Sequence, residues 1–217
     1  MLSSLLPTRS APAFLSMCLA ITLVQVPLAT SQAMAQEGAG KSKKDVTICI
    51  EAEQFQFPGD WNAVRDRDAL GASYLGINGA KPPIAEALTA VELPRTGTYH
   101  LWTRAREFKD YQPGTRRFRL TVDGMPVEKE SGGFRDADWL WQCVGTVELS
   151  AGEHMLGLRY TTSVYGRCDA ILLTTGSLDP NKLTPRQVAQ YRVAPKPVAV
   201  AAQDDGTPKL KTDRPGK

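Results

Sequence analysis

The stretch from Thr96 to Phe108 constrains the fold more than any other part of the chain. It leaves a turn at Gly97 and then alternates residue by residue for long enough to make an extended strand. Successive side chains of a strand point to opposite sides. Tyr99, Leu101, Thr103 and Ala105 therefore form one small or apolar face, which reads as core. His100, Trp102, Arg104 and Arg106 form the other. An indole set between cationic groups offers a π-surface and planar donors. Such a face suits either solvent or a flat-sided polar ligand such as a sugar.

The rest of the chain supplies partners of the same kind. Val46 to Glu53 alternates as a strand whose outer face carries Glu51 and Glu53. Residues 54–87 lose periodicity and hold several Gly and Pro, the pattern of covering or functional loops. Leu88 to Pro94 reads as a strand forming a β-hairpin with the organising one. Arg116 to Gly124 follows, with Phe118, Leu120 and Val122 on the core face and Arg117 and Arg119 outward. Sequential strands usually pair, which would put Arg104, Arg106, Arg117 and Arg119 on one side of a sheet. Asp123-Gly124 signals a turn into a short edge segment from Met125 to Ser131. Trp139-Leu140-Trp141 comes next. These tryptophans share parity with Val147 and Leu149 and belong in the core, unless Gly145 marks a bulge that turns them outward. Thr146–Leu149 and His154–Tyr160 read as another hairpin, and Cys168–Thr175 as an interior strand apolar on both faces.

After Gly176 the pattern changes. Thr184-Pro185-Arg186-Gln187 has an N-cap, a Pro at the first helical position and a capping-box Gln, predicting one short helix to about Arg192. Many short strands and a single helix define an all-β chain, an antiparallel β-sandwich over 46–176 with a helical extension at 177–193.

The ends have another character. Residues 1–35 combine Arg9, an apolar run from Ala11 to Ala29 and the small-residue ending Ala33-Met34-Ala35, the layout of a secretory signal peptide cleaved after Ala35. Pro27 and Gln25 break the run, and no second apolar segment of spanning length follows, so no membrane insertion of the mature chain is expected. Cys18 lies inside the run behind Met17, where a lipobox needs a small residue. Secretion or a periplasmic location is the expectation. Residues 36–45 and 194–217 lack a periodic apolar face and read as a disordered leader and tail.

Composition removes some function classes. Lys and Arg number 26 against 23 Asp and Glu, so global charge offers nothing to nucleic acid. Three cysteines remain after cleavage, Cys49, Cys143 and Cys168. An odd number allows one disulfide at most, or three buried thiols acting as small hydrophobes.

Several motifs together resemble the galactose-binding-like jelly-roll domains allied to carbohydrate-binding module families 6 and 35. They are Ile50-Glu51-Ala52-Glu53-Gln54-Phe55, Gly97 to Arg104, Val122-Asp123-Gly124, Ala151-Gly152-Glu153-His154, and Arg167 to Leu172, and the resemblance runs from about Val46 to Thr175. More narrowly, the chain looks like the non-catalytic C-terminal domain of certain secreted bacterial FAD-dependent oxidoreductases and polysaccharide-degrading proteins. No flavin-binding Gly fingerprint follows a strand here, so that chemistry does not carry over. The resemblance implies a structural calcium held by Glu51, Glu53 and Asp169. Calcium takes six to eight hard oxygens, and three carboxylates with loop carbonyls would supply them.

The functional expectation is a non-catalytic carbohydrate-binding protein. Trp102 would stack on a pyranose, Arg104 and Arg106 would fork to a uronate or sulfate of an acidic polysaccharide, and Tyr111, Trp139 and Trp141 would close the rim. Two alternatives stay open. One is a β-sandwich polysaccharide lyase using Arg104 or Arg106 with Tyr111 or His100. The other is a structural or protein-binding accessory domain whose C-terminal extension meets a partner.

Overall fold

The computed structural model describes residues 44–79, 81–107, 114–134, 138–161, 165–195 and 197, within a unit spanning Lys43–Lys217. The expected signal peptide, most of the leader and tail, and Tyr111 lie outside the described residues. The strands are β1 Thr47–Glu51, β2 Asn62–Arg65, β3 Ser73–Gly76, β4 Ala87–Leu93, β5 Gly97–Arg106, β6 Phe118–Val122, β7 Met125–Pro126, β8 Trp139–Leu149, β9 Gly152–Tyr160 and β10 Arg167–Thr174. Helix α1 is Pro185–Val188. They form two antiparallel sheets, one six-stranded in the order β2-β3-β10-β5-β8 with β1 also on β10, the other β4-β9-β6-β7. No helix among the described residues is long and apolar enough to cross a membrane.

The expected pairing of sequential strands is corrected. β4 pairs with β9 and β5 with β8, so the short links β4–β5 and β8–β9 are arches between sheets rather than hairpins. A side-chain lattice holds this corner: Tyr99 Oη donates to Arg95 O at 2.7 Å, and Ala151 N donates to Thr96 Oγ1 at 2.8 Å. The joint cationic face is corrected for the same reason. Arg119 rides on β6 in the opposite sheet and Arg117 immediately precedes it, and both face Glu130, at 3.7 and 3.6 Å. Two further strands, β2 and β3, form in the stretch read as loop.

The core fills the space between the sheets. Ile50, Tyr99, Leu101, Phe118, Leu120, Leu156, Leu158 and Ile171 are fully buried there, with the face of β5 assigned to the core among them. β10 is buried along nearly its whole length, as its two-sided apolar run requires. A second, smaller cluster lies on the outer face of the six-stranded sheet. It joins Cys49, Trp141, Ala170, Leu172 and Val188, with Leu70, Trp102, Leu178, Leu183 and Tyr191 packed against it.

The C-terminal extension builds that second cluster. Thr184 caps α1 through a reciprocal capping box with Gln187, as predicted, and the chain continues as a 3-10 turn from Ala189 to Tyr191. Val188 is buried against the sheet. Val193 N then donates to Cys49 O at 2.9 Å, fastening the end of the extension to β1.

Candidate functional site

Two single-residue insertions in strands decide what the outer face presents. The β5–β8 register slips between Leu101↔Gly145 and Trp102↔Cys143, leaving Val144 extra. The bulge reverses the parity of β8, so Trp139 and Trp141 lie opposite Arg106 and Arg104 on the outer face while Val147 and Leu149 face the core. The β10–β5 register slips between Cys168↔Ala105 and Ala170↔Arg104, leaving Asp169 extra. Asp169 is thereby aimed at Arg104, with which it forms an ion pair whose carboxylate is fully buried.

The sheet face is not the open aromatic platform foreseen for Trp102. That residue is half-buried against the extension's cluster, and its visible part lines a depression with His100 and residues 176–179. His100 belongs to this depression, its Nδ1 3.2 Å from Thr146 Oγ1, and does not share a cleft with Arg106. The casting of His100 as a lyase base beside Arg104 or Arg106 therefore has no geometry behind it. Trp141 is 7% exposed beneath the extension, Asn181 bonding to both its backbone N and O.

Arg104, Arg106 and Trp139 do come together, but Trp139 is itself only 7% exposed, packed against Ala69 and Tyr74. With Asp68 and Asp138 they line an open groove of about 200 Å³ at the end of the sheet where β5 finishes and β8 and β10 begin. A second cleft adjoins it past Arg104 and Trp139, bounded by Leu70, Pro180 and Leu183. The guanidinium groups of Arg104 and Arg106 lie 5.8 and 5.9 Å from the Trp139 ring centroid, and Tyr74 meets the same ring edge-on at 5.1 Å. Arg106 is also paired with Asp66 at 2.5 Å. Asp66 is held below the ordinary carboxylate value: burial pulls it up, but hydrogen bonds from Asp68 N and Arg106 together with the Arg106 charge outweigh that. Asp66, Asp68 and Asp138 were not foreseen, because their stretches carry no periodicity.

The expected calcium ligands also gather, but differently from expectation. β1 ends at Glu51, and Glu53 follows in a 3-10 turn at Ala52–Gln54. Glu51 Oε1 faces Arg192 at 2.6 Å, and Oε2 accepts from Gln54 at 3.3 Å. Asp169 accepts from Leu70 N at 3.1 and 3.2 Å besides Arg104. Gly71 leaves the space Glu53 occupies, since a Cβ there would sit 1.9 Å from Glu53 Oε1. Burial raises Glu53 to about 7, helped by the charges of Glu51 and Asp169. Asp169 is raised to about 6, burial outweighing the pull of Arg104. Among the described residues no three His, Cys, Asp or Glu side chains are placed to hold a metal ion. Glu51 and Asp169 face guanidinium groups, which leaves Glu53, whose Oε2 is buried without a hydrogen-bond partner, as the carboxylate with no arginine beside it, short of the six to eight oxygens of a calcium shell.

The cysteines are free thiols. Cys49 and Cys168 face opposite sides of the sheet. Cys49 and Cys143 stand on β1 and β8 with β10 and β5 between them, three inter-strand steps or about 14 Å, beyond disulfide reach. Burial pushes the Cys49 thiol up to about 12, and Cys168 is raised likewise, so both behave as small hydrophobes.

One constellation escaped sequence reading altogether. His154 Nδ1 lies 2.7 Å from Asp123 Oδ2, and its Nε2 is 3.4 Å from Ser150 Oγ. The order imitates a nucleophile–base–acid relay. But Nε2 is closer to the Ser150 carbonyl, at 3.0 Å, and a carbonyl only accepts. The imidazole must donate there, so it cannot take the serine proton, and it serves as a clamp between two turns.

No family model matches the chain, and no curated protein matches it. Solved structures do. A Podospora anserina GH26-CBM35 β-(1,4)-mannanase is similar at a TM-score of 0.50 and 18% identity, over 62% of this chain and 29% of the mannanase. A family 35 carbohydrate-binding module from Clostridium thermocellum gives 0.47 and 24%, over 58% and 96%. The CBM35 from Paenibacillus barcinonensis gives 0.47 and 20%, over 59% and 98%. The chain spans less than a third of the mannanase, and the likeness is one of fold, an antiparallel β-sandwich as expected from the sequence.

Proposed function

We propose that this protein is a non-catalytic carbohydrate-binding module that holds a neutral polysaccharide in the groove lined by Asp68, Arg104, Arg106, Asp138 and Trp139. The observation that carries the reading is the groove itself, one indole flanked by two guanidinium groups with carboxylates on the rim. Sugars present hydroxyl pairs and weakly apolar ring faces. Carboxylates accept from such hydroxyls, guanidinium N–H groups donate to ring and hydroxyl oxygens, and the aromatic edge meets the C–H surface.

The charge balance favours a neutral ligand over the uronate expected from sequence. Arg104 and Arg106 already face Asp169 and Asp66, so each guanidinium is engaged by a carboxylate of the chain itself. Arg67 meets Asp68 at 3.6 Å, but that pair is highly exposed and worth little. Export to the periplasm or beyond, through the signal peptide of residues 1–35, belongs to the same proposal.

The test is affinity electrophoresis of the mature chain in gels containing neutral or uronate polysaccharide, with Asp68→Ala/Asp138→Ala beside wild type. Retardation by a neutral polymer that the double variant loses supports the reading. Release of unsaturated product in a parallel absorbance assay would replace it with the lyase.

A further inference from the structure

The Glu51, Glu53 and Asp169 cluster lies on the outer face of the six-stranded sheet, where clustered carboxylates need a compensating positive charge. Two guanidinium groups are in place. Arg104 reaches Asp169 from β5, the neighbouring strand. Arg192 reaches Glu51 from far along the chain, at the end of the C-terminal extension, with the Glu51 side chain 7% exposed. Its NH2 group also donates to Leu70 O at 2.9 Å, while Leu70 N donates to both oxygens of Asp169. Leu70 thus connects the two ion pairs through its own peptide groups. Backbone bonds fix Arg192 in position: it makes a parallel bridge to Cys49, and Val193 N donates to Cys49 O. Val188, four residues earlier, is anchored in the apolar cluster above β1 and β10.

We infer that Arg192, acting with Arg104, takes the place of a bound cation on this carboxylate cluster, so that the extension from Gly176 to Val193 is a built-in clasp of the sandwich. An arginine suits the position because a single planar terminal nitrogen of its guanidinium lies beside both the Glu51 carboxylate and the Leu70 carbonyl, which a lysine ammonium would do with less fixed geometry. The clasp also ties the extension to the loop at Leu70, through the bond from Arg192 to Leu70 O.

Differential scanning fluorimetry of the full mature chain tests this. Wild type is measured with excess EDTA and with millimolar calcium after chelation, and Arg192→Gln, Arg192→Lys and Glu51→Gln/Arg192→Gln are measured alongside. The clasp predicts a melting temperature that neither EDTA nor calcium moves. It further predicts a loss of several degrees in Arg192→Gln, partial recovery in Arg192→Lys, and no additional loss in the double variant, because removing Glu51 also removes the charge left unpaired. A wild-type melting temperature that falls on chelation and returns with calcium would overturn the inference whether or not the variants fold. So would an Arg192→Gln protein that melts with wild type.

Discussion

At the scale of single residues, charge and space at a few positions make firm statements. His154 is the clearest. Burial works against its charge, but the hydrogen bonds with Asp123 and the Ser150 carbonyl, helped by the charges of Asp123 and Glu92, raise its pKa above the ordinary value of 6.5. A histidine with a raised folded pKa contributes stability that is complete below about pH 6.5 and is lost as pH climbs through the folded value. Wild type should therefore melt above His154→Gln near pH 6, with the gap closing as pH rises through the raised folded pKa. Glu53 and Asp169, whose pKa values are also raised, tilt the wild-type curve in the same direction, so it is the difference between the two proteins that isolates the imidazole. A gap that widens with pH would exclude the clamp. Gly71 is constrained by space: Gly71→Ala must displace the Glu53 carboxylate, and an overpacking loss of roughly 1–3 kcal/mol is expected in urea denaturation.

At the scale of elements, the extension is the part whose role the amino-acid sequence only half disclosed. Its helix was legible because the capping signals at Thr184, Pro185 and Gln187 act within one turn of chain. Its docking was not, because Val188, Leu178 and Leu183 show no period of their own and acquire meaning only against the outer face of β10. Val188→Ala should cost roughly 1.5–3 kcal/mol in chemical denaturation if the extension is an integral layer, and almost nothing if it hangs free. Core faces of β5, β6 and β10 were readable from alternation alone, since each has one consistently apolar side or two. Which strands pair was not, because a two- or three-residue link can close a hairpin or arch between sheets, and only the long-range register of β4 with β9 and β5 with β8 decides. The slip at Val144 was foreseeable as a condition on Gly145; the slip at Asp169 left no mark in sequence, though it is what turns that carboxylate toward Arg104.

At the scale of the whole molecule, the two layers of side chains on the six-stranded sheet divide the work. The inner layer joins the sheets, while the outer layer is mostly covered by the extension and carries a groove at the end where Arg104 and Arg106 flank the buried Trp139. If that opening binds a neutral glycan, affinity should change little between low and high salt, because screening acts on net charge rather than on hydroxyl hydrogen bonds. An affinity for uronate polymer that collapses with salt would instead restore the acidic-sugar expectation. The most direct measurement is isothermal titration calorimetry of neutral oligosaccharides, chosen from polymers that retard the protein in gels, into wild type and Asp68→Ala/Asp138→Ala, with melting curves for both. Loss of two charged acceptors should weaken binding at least tenfold, about 1.4 kcal/mol, in a variant whose melting curve shows it to be folded. Equal affinity in the two proteins would contradict the account and move the site away from Trp139.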